Sequence, residues 1–234
     1  MSKEFRGQPI KDLKGFLEEN QVKRLIDGAM KLRDKVFLRL LWVTGARVSE
    51  ILGDKSYYPI DCCHKKETGC ESKCRVSCKF KSNLPLRIFE PVKVEDVNLK
   101  DGNIILNLLK RKQYPPPKHL VSLDNITLQY LKDYIQEQKL QPSDPLFSFT
   151  RQRAFQIIRA VGESVGIDKV GSKKLHDHHL RHSNCVNYIR HNNTLEGLRK
   201  LQKRIGHANI ETTAEYLQFG PEQKEETEDV FGQW

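Results

Sequence analysis

From residue 151 to 217 the sequence reads mainly as helices, and a set of side chains on or beside three of them is unusual. Helical periodicity runs over about 151–165, 177–191, 195–203 and 210–217. On or beside these stretches sit His178-His179-Leu180-Arg181-His182, then Ile205-Gly206-His207, then Tyr216, nine residues past that histidine. A second arginine lies upstream in Thr44-Gly45-Ala46-Arg47-Val48-Ser49-Glu50. The fold must bring these stretches together if the set is to act as one site.

The first half is organised differently. Val22, Leu25, Ile26 and Ala29 form one apolar stripe at helical spacing. A second helix over about 32–43 turns Val36, Phe37, Leu40 and Leu41 inward, Thr44-Gly45 breaks it, and Arg47 opens a short helix ending near Gly53. Three strands are expected at 86–97, 104–109 and 119–123, with Asp101-Gly102 as a turn and Pro115-Pro116-Pro117 as a stiff loop. Asp124 or Asn125 caps a helix to about residue 139, with Leu128, Leu131, Tyr134 and Ile135 inward. The predicted fold class is therefore mainly α with a small antiparallel β-sheet (α+β). A single domain is expected over 1–234, with a cysteine-rich insertion at 54–83 and an acidic tail at 220–234 that ends in Phe231 and Trp234.

Charge narrows the partners. Forty Lys and Arg stand against thirty Asp and Glu, a formal net charge of +10, which favours a polyanion such as nucleic acid. No apolar run approaches a membrane span and the N-terminus has no secretory pattern, so a cytoplasmic, DNA-associated protein in a reducing compartment is expected.

In such a compartment a cysteine cluster suggests metal before disulfide. Cys62, Cys63, Cys70, Cys74 and Cys78, with His64 among them, offer enough soft ligands for a tetrahedral structural zinc. Disulfides or free thiols remain as alternatives. The polar insertion has no core of its own, so without metal or bridges it should be disordered. Its lysines (Lys65, Lys66, Lys73, Lys79, Lys81) are placed to meet a DNA backbone. Cys185 stands apart and reads as a small core residue.

Cleaving a phosphodiester without a metal needs an in-line nucleophile, positive donors for the non-bridging oxygens and an acid for the departing oxygen. A tyrosine nucleophile conserves the bond as a phosphotyrosine, so the strand can be rejoined. Singly, each of these residues has an ordinary structural reading. Jointly, the segments 44–50, 178–183 and 205–216 resemble the three signature boxes of the tyrosine recombinases, the phage integrase and Xer family, in the family's order. The likeness runs from about residue 13 to 219 outside the cysteine insertion.

The resemblance implies a recombinase catalytic-domain fold, a double-stranded DNA partner, tetramers on paired sites and no cofactor for catalysis. It implies that Arg47 and Arg181 clamp the scissile phosphate, that His178 accepts or relays the tyrosine proton, and that His207 hydrogen-bonds the phosphate. Tyr216 becomes the nucleophile that leaves a 3′-phosphotyrosine, and Glu50 orients the arginines. A lysine on the hairpin between the second and third strands serves as general acid. Lys110 is the preferred candidate and Lys112 the next. Two departures stand out. The family's N-terminal clamp domain is not matched by the few residues before Leu13, and the insertion at 54–83 is foreign to the pattern. The implied activity is site-specific recombination, as in the integrase of a mobile element. Type IB topoisomerase-like relaxation and a non-catalytic DNA-binding regulator are the alternatives.

Overall fold

In the computed structural model, residues 15–56, 87–109, 116–207 and 209–220 are described. The cysteines at 62–78, Lys110, Lys112 and the tail beyond Gly220 lie outside the described residues. The expectations placed on them, zinc ligation and the general acid included, therefore have no structural counterpart below.

Helix α1 (Glu19–Asp27) buries Val22, Leu25 and Ile26, the stripe expected from spacing. Helix α2 (Leu32–Thr44) is the central pillar. It buries Val36, Phe37, Leu38, Leu40 and Leu41, more than one face, because helices pack on several sides of it. Helix α3 (Val48–Leu52) follows at once.

A short strand β1 (Asp54–Ser56) pairs antiparallel with β2 (Arg87–Phe89). This pair corrects the reading of 54–83 as free of strand. Three residues are too few to show a period of two, and the partner lies more than thirty positions away.

The strand expected over 86–97 is also divided. Pro91 has no N–H to give a ladder. The Val92 N–H donates to the Ile51 carbonyl at 2.9 Å, and the Val92 carbonyl accepts from the Leu146 N–H at 2.8 Å. The Asp96 carboxylate accepts from the Lys93 N–H at 2.9 Å, which winds Val94–Asp96 into a single 3₁₀ turn. Strands β3 (Val97–Asn98), β4 (Asn103–Asn107) and β5 (Lys118–Ser122) then form an antiparallel sheet in the order β3-β4-β5. Ile104, Leu106 and Val121 point into the core from β4 and β5, as the alternation requires.

Helix α4 (Asn125–Glu137) starts where Asp124 accepts the Thr127 N–H at 3.0 Å. Helix α5 (Arg151–Ser164) is capped by Thr150. A two-residue hairpin, β6 (Lys169–Val170) with β7 (Lys173–Lys174), leads into α6 (Asp177–His191), then α7 (Leu195–Ile205) and the short α8 (Glu211–Ala214). The long helix predicted over 210–217 is thus one turn of α-helix, followed by a 3₁₀ turn at Leu217–Phe219. Tyr216 sits between the two, its N–H donating to the Thr213 carbonyl at 3.1 Å.

Two apolar clusters result. The large one joins α1–α5 and the sheet. The small one, Cys185, Val186, Ile189, Leu198, Leu201, Ile205 and Tyr216, lies between α6, α7 and the segment after α8. No helix among the described residues is long and apolar enough to cross a membrane.

Candidate active site

Two left-handed glycines set the site. Gly45 (φ 63°) ends α2 and Gly206 (φ 67°) ends α7, each in the conformation that lets a helix stop and its chain turn sharply. Arg47 lies two residues after Gly45, and His207 follows Gly206 directly. At Gly206 a Cβ would also meet Leu108 Cδ2 at 2.4 Å, so the Leu108 side chain would have to shift. Leu108, at the end of β4, thereby packs against the corner that carries His207.

Arg47 lies at the N-terminus of α3, and Glu50 one turn later serves it twice. The Glu50 carboxylate accepts the Arg47 N–H at 2.8 Å and the Arg47 guanidinium at 2.7 Å. Glu50 is 2% exposed, so this pair is held in a dry place where its geometry is fixed.

Arg181, on α6, is 5% exposed. Its guanidinium donates to the Gly45 carbonyl and, at 2.7 Å, to the Ile205 carbonyl. One side chain therefore ties together the ends of α2 and α7, the two corners bearing Arg47 and His207. Burial, and the charge of Arg47 beside it, lower its pKa from the ordinary arginine value.

The histidines of α6 fall into two groups. At the N-terminus His176 and His179 bond reciprocally. The His176 N–H donates to His179 Nδ1 at 3.1 Å, the His178 N–H donates to His176 Nδ1 at 3.3 Å, and the rings of His176 and His179 meet tilted at 39° with centroids 3.9 Å apart. His178 faces outward, with a side chain half exposed and Nδ1 3.1 Å from the Asp177 carboxylate. Burial works to raise the Asp177 pKa, but the His178 hydrogen bond and charge prevail and hold it low. His176, Asp177 and His178 offer ligand atoms all within 4.8 Å of one another, the metal-compatible group among the described residues. Burial, followed by the charge of His176, lowers the His179 pKa to about 4.

His182 forms the second group, one turn further along. Its Nδ1 is 2.6 Å from the Tyr216 hydroxyl. Burial and the positive fields of His178 and Arg181 lower its pKa to about 4. Tyr216 is 3% exposed; burial, and the Cys185 sulfur that shares a hydrogen bond with it, raise its phenol pKa well above the usual value. Cys185 is fully buried, as expected of a core thiol. His207 Nδ1 lies 3.1 Å from the Thr213 hydroxyl, which links the α7 corner to the short helix before Tyr216.

The structure thus brings Arg47, Arg181, His207 and Tyr216 around the junction of α2, α6 and α7, with His178 at its outer edge. Sequence reasoning missed His182 as a partner of the tyrosine. Its signal was present, since it follows Arg181 and stands four residues after His178, on the same helical face.

Residues 60–222 match the profile of the phage integrase family, about 70% of the chain. The chain belongs to that family. Tyrosine recombinase XerD of Bifidobacterium longum is 25% identical over 239 residues, covering 92% of this chain and 61% of that protein. The chain therefore spans about three fifths of that relative's length. Among solved structures, XerH site-specific recombinase bound to its difH substrate superposes with a TM-score of 0.63 at 17% identity, covering 97% of this chain and 56% of that one. The catalytic domain of bacteriophage HP1 integrase gives 0.53 at 17% identity, covering 93% of this chain and 94% of that domain. These likenesses establish the tyrosine recombinase catalytic-domain fold, mostly helical with a small antiparallel sheet.

Proposed function

We propose that this chain is one catalytic unit of a site-specific DNA recombinase, cutting and rejoining double-stranded DNA through a 3′-phosphotyrosine on Tyr216. The observation that carries the reading is Arg181, whose two carbonyl bonds fasten the Arg47 and His207 corners around one guanidinium. A guanidinium has five N–H donors, so two spent on carbonyls leave others for phosphate oxygens. Arg47, oriented by Glu50, supplies the second cation, and His207 a further donor. The paired positive charges stabilise the charge that develops on the phosphate, without metal.

His178, half exposed beside Asp177, is suited to pass a proton between the site and solvent. Lys110 is the preferred general acid for the departing 5′ oxygen, with Lys112 next. Leu108, two residues before Lys110, approaches Gly206 at the His207 corner, which supports a general acid from this hairpin. Four protomers acting on two paired sites complete the reaction, with the tail beyond Gly220 docking on a neighbour, and the enzyme serves a mobile element. A structural zinc held by Cys62 or Cys63 with Cys70, Cys74 and Cys78 orders the insertion, whose ends leave from the β1–β2 pair. One equivalent of zinc per chain, lost when Cys74 and Cys78 are replaced by serine, is the expected result of metal analysis.

The test of the activity uses a supercoiled plasmid carrying two copies of the DNA that flanks the coding sequence. Recombinant circles are expected. Relaxation without recombinants would instead indicate a topoisomerase-like enzyme, and binding with neither product a regulator.

A further inference from the structure

Accepting Tyr216 as the nucleophile leaves open where its proton goes. His178 Nδ1 is engaged with the Asp177 carboxylate at 3.1 Å. The hydroxyl faces His182, with Nδ1 2.6 Å from the phenol oxygen and the two rings 5.9 Å apart. We propose that His182 is the first acceptor of the Tyr216 proton, and so a catalytic residue of strand cleavage. The inference rests on the recombinase reading and adds to it a residue in contact with the reacting oxygen.

The protonation states agree with this geometry. Burial raises the phenol pKa, so the hydroxyl keeps its proton and donates. A neutral imidazole has one acceptor nitrogen, so Nδ1 accepts and Nε2 carries the hydrogen. The groups that face His182 are nearly all cationic or neutral: His176, His178 and Arg181 on its own helix, Lys173 on β7, and Tyr216 itself. An imidazolium there is disfavoured while the site is empty of anions. A DNA phosphate between Arg47 and Arg181 supplies the missing negative charge, and His182 then accepts the proton. Activation of the nucleophile is in this way coupled to the arrival of substrate.

The step balances as follows. The proton passes from Tyr216 Oη to His182 Nδ1, Oη bonds to phosphorus, and the bond from phosphorus to the 5′ oxygen breaks. That oxygen takes a proton from a separate general acid. Rejoining runs the same transfers in reverse, with His182 returning the proton to the phenol. His178, one turn away on the same face of α6, is the outer station of the relay.

The experiment uses nicked duplexes with a 5′-bridging phosphorothiolate, whose thiolate leaves without needing a proton. Cleavage then reports nucleophile activation alone. Wild type and His182→Asn are compared from about pH 6 to about 10. Asparagine keeps a hydrogen-bond acceptor near the Nδ1 position but has no basic nitrogen. The expected result is about a 10²–10⁴-fold slower cleavage by His182→Asn at pH 7. Its rate should climb with pH while the wild-type rate stays level. Cleavage by His182→Asn within a few-fold of wild type, or a slower rate with the wild-type pH profile, would overturn the proposal. A wild-type protein that forms no covalent band would instead refute the nucleophile reading itself. Should His182→Asn fail to fold, nitrogen NMR of wild-type His182 decides. The Nε2–H tautomer is expected, and an Nδ1–H tautomer is the overturning result.

Discussion

Arg181 donates to the carbonyls of Gly45 and Ile205, so the side chain proposed to grip the phosphate also holds shut the corners around it. On that proposal, fold and catalysis share one guanidinium. Arg181→Lys cannot reproduce the planar fork, and it leaves one buried carbonyl or both without a donor. A loss of about 2–3 kcal/mol is expected. For a domain of this size that lowers the melting temperature by about 4–12 °C. Covalent DNA linkage should fall far more steeply than stability, and the two are read by a thermal melt beside a cleavage gel.

Glu50 is the second such residue. It is nearly fully buried and satisfies both the backbone and the guanidinium of Arg47. Glu50→Gln keeps the shape but removes the charge, leaving Arg47 half-buried without its counterion. The expected cost is about 3 kcal/mol by denaturant titration, together with slower cleavage as Arg47 loses its orientation. Unchanged stability would show that the pair is not needed to hold the α3 corner.

Gly206 tests the corner that carries His207. A Cβ there meets Leu108 at 2.4 Å, and the residue's φ of 67° disfavours any side chain. Gly206→Ala should cost about 1–3 kcal/mol, since strain at a positive φ and overpacking act together. Because the clash moves His207 away from Thr213, cleavage should drop while the chain remains folded. Circular dichroism with the cleavage assay separates the two effects.

Acid should destabilise the protein well above the carboxylate range. His179 and His182 are held neutral, each with a pKa of about 4, below the ordinary value for histidine. The unfolded chain takes up their protons near ~6.5. Between that value and about 4 the unfolded state binds more protons, so stability falls as the pH falls. The contribution is complete above the unfolded value and gone below the folded one. For His179 it amounts to roughly 3 kcal/mol at most, at the acid end. Melting temperatures at pH 7.5 and 5 should differ by several degrees, and His179→Asn should narrow the gap. A flat profile would show these imidazoles to be protonated in the fold.

The sequence was most readable where structure is local. The stripe of α1, the cap at Asp124, and the span of α6 follow from spacing and from side chains that bond within one turn. The Gly45-to-Arg47 corner was readable as a helix stop ahead of a charged group. Pairings across distance were not. The β1–β2 pair joins segments more than thirty residues apart, and Val92 bonds Ile51 and Leu146 instead of extending a strand. The bond between His182 and Tyr216 spans 34 positions. It depends on how α6 meets the turn after α8, which no local pattern encodes.

The central claim is that Tyr216 attacks DNA. The most direct measurement incubates the protein with nicked duplexes spanning its flanking DNA and resolves the products on denaturing gels, with Tyr216→Phe alongside. A DNA-linked protein band that disappears in the phenylalanine variant is the predicted result. A band that persists in the variant would place the nucleophile elsewhere and contradict the account.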